Sequence, residues 1–457
     1  MINEQANINQ FSTMYFVGVG GIGMSALARY FKRQGLNVAG YDKTPSPLID
    51  ELLKEGIDVH FDDLGSMVVN LISGPEDTLV VYTPAIPEDH GELNFLLDDG
   101  YVVLKRAAVL GMITRNSKAI GVAGTHGKTT TSTMLAWMLS QSGVGCNAFL
   151  GGISSNTNSN FIEHDSSDLT VVEADEFDRS FLQLDPFGTI VTSTDADHLD
   201  IYGEESKFIE GFKMYVQRIH SDGLLIRHAS VELNGPRTLT YAVDKDADFT
   251  GSNLRIQDGS FLMDLSKQNE NWTDLELGLP GRHNAENALA CIAMALELGL
   301  NESEIRLGLK SFKGVKRRFE YHKRESSCVY VDDYAHHPTE IDALIESIRL
   351  MYPGRKVTGV FQPHLYSRTR DFFDEFAASL SKLDELVLLP IYPARELPIE
   401  GVTSAALIEK VSLSNKKLME RDAAVSFVTT PRREVLLTIG AGDIDRIVPQ
   451  ISSKLDS

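Results

Sequence analysis

At 457 residues, 42% of them hydrophobic and 23% charged, the chain is too long for a single core and suits about three domains of ~100–200 residues. Its 43 basic and 64 acidic residues leave a formal charge of −21, which argues against a general nucleic-acid binder or a membrane-surface protein. Any polyanionic ligand must then be met by locally clustered cations. The opening MINEQANINQ carries neither a basic nor an apolar segment, no apolar run approaches ~18 residues, and Cys146, Cys291 and Cys328 have no paired spacing. The expectation is a reducing cytoplasm, no membrane partner and no cysteine-based metal site.

Apolar residues 14–19 predict a strand, followed by Gly18-Val19-Gly20-Gly21-Ile22-Gly23 and an apolar-periodic helix to about Gln34. A strand over 38–41 ends in Asp42. Glycines for a tight turn, a helix N-terminus for a diphosphate and an acid ~20 residues on for a ribose hydroxyl make a Rossmann-type fingerprint. A nicotinamide oxidoreductase is one reading of it, and the diphosphate of a UDP-sugar fits the same spacing. The turn at Thr83-Pro84-Ala85 and a strand over 101–104 continue the β/α alternation, and the polar break Arg115-Asn116-Ser117-Lys118 closes a first domain, 1–116.

A buried strand over 119–123 and a helical pattern over 132–140 bracket GVAGTHGKTTT, residues 121–131. A Gly-rich strand-to-helix turn lets backbone N–H groups face a phosphate, and the helix adds roughly half a positive charge there. Gly124, Thr125 and Gly127 would form the cradle, Lys128 would reach the β/γ-phosphates, and Thr129 or Thr130 would offer a hydroxyl to Mg²⁺. The strict P-loop pattern wants glycine five residues before Gly127, where Val122 stands. Next come the small polar loop 151–158, ending in Asn158, and a strand over 169–172 that delivers Glu173-Ala174-Asp175-Glu176. A strand over 189–191 leads into Asp195-Ala196-Asp197-His198-Leu199-Asp200. An acid after an apolar strand is where a nucleotide site places its Mg²⁺ ligand; a solvated strand end is the alternative for both groups. His198 would be a nitrogen ligand to a metal that prefers oxygen. Residues 281–287, GRHNAEN, start a helix over 288–298, with Asn284 and Asn287 three apart on one face. They would hold a nucleobase, or Asn284 would simply cap the helix. The cation cluster Lys316-Arg317-Arg318 closes a second domain, 117–322.

In the last domain, 323–457, a strand over 328–331 reaches Asp332-Asp333-Tyr334-Ala335-His336-His337, and a helix covers 339–350. A strand over 356–361 reaches Gln362-Pro363-His364-Leu365-Tyr366-Ser367-Arg368. Strands over 385–390 and 436–439 end at Tyr392 to Arg395 and at Gly440 to Asp443. Four strands that each end in a chemically able loop describe an α/β sheet with its ligand at the carboxyl edge.

Together GTHGKTTT, EADE, DADHLD, RHNAENALA, KRRFE, DDYAHHPTE, FQPHLYSRTRD, IYPARE and GAGD make the chain resemble the Mur ligase family, ATP-dependent amide-forming enzymes of peptidoglycan precursor synthesis. The front GVGGIGMSALA and the rear DDYAHHP and FQPH segments resemble the branch that adds L-alanine to UDP-N-acetylmuramate; a branch that adds a tripeptide is the near rival. The resemblance implies an α/β fold of three domains: a Rossmann-like N-terminal domain, a central P-loop ATPase-type domain and a Rossmann-like C-terminal domain. It implies ATP and Mg²⁺. By the same resemblance Gly20, Gly21, Gly23 and Ser25 face the UDP diphosphate, Asp42 lies near the uridine, and Asn158 near the muramoyl group. Lys128 holds ATP phosphates with Thr129, Glu173 and His198 on Mg²⁺, Asn284 and Asn287 frame adenine, and Arg318 and Asp333 reach phosphate and ribose. Tyr334, His336, His364 and Arg368 surround L-alanine. Many relatives carry Arg where Leu365 stands, which puts more weight on Arg368.

Overall fold

The computed structural model describes residues 8–195, 204–268, 270–394 and 396–456; the expected ligand His198, with Asp197 and Asp200, lies outside them. The chain forms three α/β domains, built on sheets of five, ten and six strands. Its packing divides into two compact units: residues 1–252 with 264–275 and 286–312, and residues 253–263 with 276–285 and 313–457.

In the first unit, Thr13–Val17 is buried at every position and lies between parallel partners Asn37–Tyr41 and Thr78–Tyr82. A continuous apolar run without alternation is what a strand covered on both faces requires. Asp58–His60 and Val102–Lys105 complete this all-parallel sheet. The helix Ile22–Arg33 follows the glycine turn directly.

The second sheet is centred on Lys118–Ala123, parallel to Gly188–Val191 on one side and Leu169–Glu173 on the other. Register pairs Val122 with Glu173 and Ala123 with Val191. The turn after Ala123, the Glu173 carboxylate and the loop after Val191 therefore emerge side by side at one carboxyl edge. Asn147–Phe149 and Phe161–Ile162 continue one flank, and Leu224–His228 and Thr238–Val243 the other. Three further strands, Phe249–Gln257, Ser260–Lys267 and Glu270–Leu277, extend it where the motifs gave no signal. The first two are joined by Asp258-Gly259, both at positive φ (52° and 80°), the left-handed pair that a two-residue hairpin turn uses.

In the second unit the order is Glu320–Arg324, Val329–Asp333, Val435–Ile439, Val357–Phe361, Glu385–Leu388, Lys416–Leu418. The four anticipated strands form its middle, and short polar strands add both edges. One expectation is corrected. The helix expected from residue 288 is Arg282–Glu297, so Asn284 lies inside its first turn and is no N-cap; its amide donates to the Pro280 carbonyl at 2.8 Å.

Packing at the centre of the second sheet leaves no slack. A Cβ at Gly121 would lie 2.0 Å from the Tyr215 hydroxyl oxygen, itself fully buried and 2.9 Å from Thr189 Oγ1. We expect Gly121→Ala to cost ~1–3 kcal/mol through overpacking, read as a lower urea midpoint, and Tyr215→Phe to recover part of that loss in the same background. A wild-type midpoint for Gly121→Ala would contradict this packing.

Candidate active site

The turn from Ala123 into the helix Lys128–Ser140 is made by two glycines that no other residue replaces cheaply. Gly124 has φ +131° and a Cβ there would lie 2.0 Å from Thr192 Oγ1; Gly127 has φ +81° and a Cβ there would lie 2.7 Å from Asn287 Oδ1. The loop after Val191 holds the turn: Thr125 N–H donates to the Ser193 carbonyl (3.2 Å), Thr125 Oγ1 to the Asp195 carbonyl (2.7 Å), and His126 N–H to Ser193 Oγ (3.1 Å). Asn287 thus stands against the turn. Thr129 and Thr130 are buried in the first helical turn.

Lys128 donates to the carbonyls of Gly124 (2.7 Å) and Thr125 (3.3 Å) and to Glu176 Oε1 (2.8 Å). Glu176 is buried, and burial pushes its carboxyl pKa up against the pull of Lys128. The EADE quartet drew attention to its first acid, yet the fourth is the counter-ion of the phosphate-turn lysine. Its signal was there, three residues past the strand end. Glu173 packs against Gly151, where a Cβ would meet its Oε2 at 2.1 Å.

Glu173 also lines a cavity of about 260 Å³, together with Asp175, Gly151 and, opposite, Gly21, Gly23 and Arg106. The glycine turn of the first sheet and the acid beside the phosphate turn therefore share one space. Around it, Asp42 Oδ2 accepts from Gly20 N–H at 2.9 Å and Oδ1 from Thr44 N–H at 3.1 Å, so this acid braces the turn. Ser25 is fully buried, its hydroxyl donating to the Gly21 and Ile22 carbonyls and accepting from Asn160 Nδ2 at 2.8 Å. It is not among the residues that line the cavity. Asn160, two residues past the polar loop 151–158, is fully buried and also bonds Arg29. Asn158 is exposed at the loop tip, with φ +53°.

In the second unit, Arg317 (φ +62°) and Phe319 (φ +50°) flank Arg318. Arg317 donates to Asp332 Oδ2 (3.2 Å) and the Gly440 carbonyl (2.6 Å), and its own carbonyl accepts from Tyr334 N–H (2.5 Å). The Arg318 guanidinium lies 5.8 Å from the Tyr334 ring centroid. Asp333 accepts from Phe319 N–H (2.7 Å) and Ala335 N–H (2.8 Å). His336 meets Tyr334 edge-on at 5.3 Å and His364 at 6.3 Å, and His364 stacks on Tyr392. Burial, with Arg368 nearby, lowers the pKa of His336 and takes that of His364 down to about 4. The four residues expected around an amino acid are brought together, with Arg368 beside two neutral imidazoles. Leu365, the departure from the motif, sits at φ +71° where the chain enters the helix Tyr366–Asp371. Glu396, also missed, caps that helix through Ser367 N–H at 2.9 Å.

Burial pushes the Asp333 carboxyl up from 3.8 to about 7, against its two N–H donors and Arg318. The folded chain then keeps a proton that the unfolded chain sheds near 3.8. This contribution to stability is full below that value and lost as pH rises through about 7. Between about pH 5 and about pH 8 the urea midpoint of the wild type should fall relative to Asp333→Asn; parallel profiles would contradict the assigned shift.

Comparison with known proteins follows the same three-part division. Residues 13–118 match the family model "Mur ligase family, catalytic domain", 122–295 the "Mur ligase middle domain", and 317–442 "Mur ligase, glutamate ligase domain". The UDP-N-acetylmuramate–L-alanine ligase of Parabacteroides distasonis is 49% identical over 98% of this chain and 98% of its own. The crystal structure of the UDP-N-acetylmuramate–alanine ligase of Thermotoga maritima superposes with a TM-score of 0.83 at 27% identity, over 97% of this chain and 99% of that one. A murein peptide ligase from Psychrobacter arcticus shares the fold, at a TM-score of 0.70 and 22% identity, over 97% and 98% of the two chains. Matched by family models over all three of its parts and 49% identical to a relative over 98% of its length, this chain belongs to the Mur ligase family.

Proposed function

We propose that this chain joins L-alanine to the lactyl carboxylate of UDP-N-acetylmuramate, with ATP as the third substrate, in peptidoglycan precursor synthesis. One observation carries the reading most directly. A single cavity joins the first sheet's glycine turn, suited to a nucleotide diphosphate, to Glu173, which stands in register beside the phosphate turn. A nucleotide sugar laid across that space brings its acid end toward a triphosphate held by Gly124 to Lys128. The 49% identical relative that bears the L-alanine ligase name supports the choice of amine. We assign residues 1–116 to the UDP substrate, 117–322 to ATP and 323–457 to the amino acid, and place the enzyme in the cytoplasm, where its three buried, unpaired thiols would stay reduced.

A carboxylate is a poor acyl donor, so the chemistry first makes it a better one. A carboxylate oxygen attacks the γ-phosphorus of ATP, the bond to the β-phosphate oxygen breaks, and ADP leaves with that electron pair. The α-amine of L-alanine then attacks the acyl carbon, inorganic phosphate departs and the ammonium proton is lost to solvent or a base. Lys128 neutralises the charge that gathers on the phosphate oxygens. To do so it exchanges Glu176 and two backbone carbonyls for phosphate. Neutral His336 and His364 accept hydrogen bonds without repelling an ammonium, and Arg368 pairs with the amino-acid carboxylate as a two-pronged donor. Asn284, Asn287, Arg318 and Asp333 carry the adenine, phosphate and ribose roles of the family motif.

The oxygen-rich edge fits Mg²⁺, since Glu173 opens on the cavity and Thr129 lies in the first turn of the helix Lys128–Ser140. Thr129 and Glu173 would hold the ion, with His198 as the third proposed ligand, and the metal would supply charge neutralisation on the phosphates.

Lys128→Ala should lower turnover by ~10²-fold or more, by analogy with the loss of one oxyanion donor. A near-wild-type rate would remove Lys128 from the phosphates. Arg368→Ala should raise the apparent KM for L-alanine far more than that for ATP; equal effects on both would take it out of the amino-acid pocket.

A further inference from the structure

We propose that Arg106 is a binding residue for the substrate diphosphate, resting on the reading of residues 1–116 as the UDP-substrate domain. Arg106 follows the strand Val102–Lys105 and opens the helix Arg106–Arg115, so it stands at the carboxyl edge of a parallel sheet, where such sheets take their ligands. It is the one cation among the residues that line the cavity, which it shares with the carboxylates of Glu173 and Asp175. It pairs with neither. Among the described residues its guanidinium makes no ion pair and no hydrogen bond, whereas its neighbour Lys105 lies 3.9 Å from Asp178.

In a chain of net charge −21, a half-buried guanidinium without a counter-ion is a group held for an external anion. Its side chain fixes which anion. A Cβ at Gly23 would lie 2.6 Å from Arg106 Nη1, 3.1 Å from Cδ and 3.2 Å from Cζ, so the guanidinium lies along the glycine turn itself. The group it meets is the one the turn receives, a diphosphate, rather than the acid end of the sugar nearer Glu173. Two guanidinium N–H groups suit paired phosphate oxygens. Glycine at position 23 is what leaves room for the arginine.

The test is calorimetric binding of uridine, UDP and UDP-N-acetylmuramate to the wild type, Arg106→Met and Arg106→Lys, with melting temperatures alongside. The expected result is that Arg106→Met melts as the wild type does and binds UDP about 10- to 100-fold more weakly, with uridine unaffected and Arg106→Lys intermediate. Wild-type affinity of Arg106→Met for UDP would overturn the proposal. So would an equal loss for uridine and UDP, the mark of a structural role, or a loss confined to UDP-N-acetylmuramate, the mark of a contact to its carboxylate. If the wild type itself fails to bind UDP, the assignment of the whole first domain falls, and Arg106 with it.

Discussion

The fold turns on a short backbone turn with two positions too crowded for a side chain. Between Ala123 and Lys128 the chain leaves a buried strand, reverses direction and starts a helix within four residues. It does so through Gly124 and Gly127, whose conformations and neighbours exclude a Cβ. The neighbouring strand ends are placed around that constraint. The parallel register sets Glu173 on one flank of the turn and residues 192–195 on the other, and the latter tie the turn down through hydrogen bonds at Thr125 and His126. The result is a turn held on both sides by its neighbouring strand ends.

Charge is managed with similar economy in an acidic chain. Lys128 is held by Glu176, and Arg317 by Asp332 and the Gly440 carbonyl; Arg106 and Arg368 carry no ion pair among the described residues. Arg106 lines the cavity beside Glu173, and Arg368 lies near His336 and His364. In the second unit, burial keeps His364 neutral near pH 7 and gives Asp333 a pKa of about 7. That is the range in which a carboxyl can either accept or donate a hydrogen bond.

Much of this was legible in the sequence because catalytic turns leave local signatures. GTHGKTTT, the Glu173 strand end, and the Tyr334–His336 and His364–Arg368 loops were all found as short strings at strand ends. The fingerprint at residues 18–23 alone pointed two ways, toward a nicotinamide or a UDP-sugar, and family membership takes it from the first. What could not be read was anything defined by a partner distant in the chain. Asn160 belongs to no motif, yet it is fully buried against Ser25, Ile22 and Arg29, more than a hundred positions earlier. Arg106 gave no signal beside Lys105, since only the cavity distinguishes a solvated cation from one held against a glycine turn. The strands from 249 to 277 carry no motif, so only their pairing revealed them. The Asn284 cap failed for the opposite reason: the helix began six residues before its apolar pattern did.

The central claim is that ATP is cleaved here to make a sugar-linked carboxylate reactive toward an amine. Its most direct test is oxygen transfer. With the lactyl carboxylate of UDP-N-acetylmuramate labelled with ¹⁸O, turnover with ATP and L-alanine should place one labelled oxygen in inorganic phosphate for each amide formed. Phosphate released without label would contradict the account.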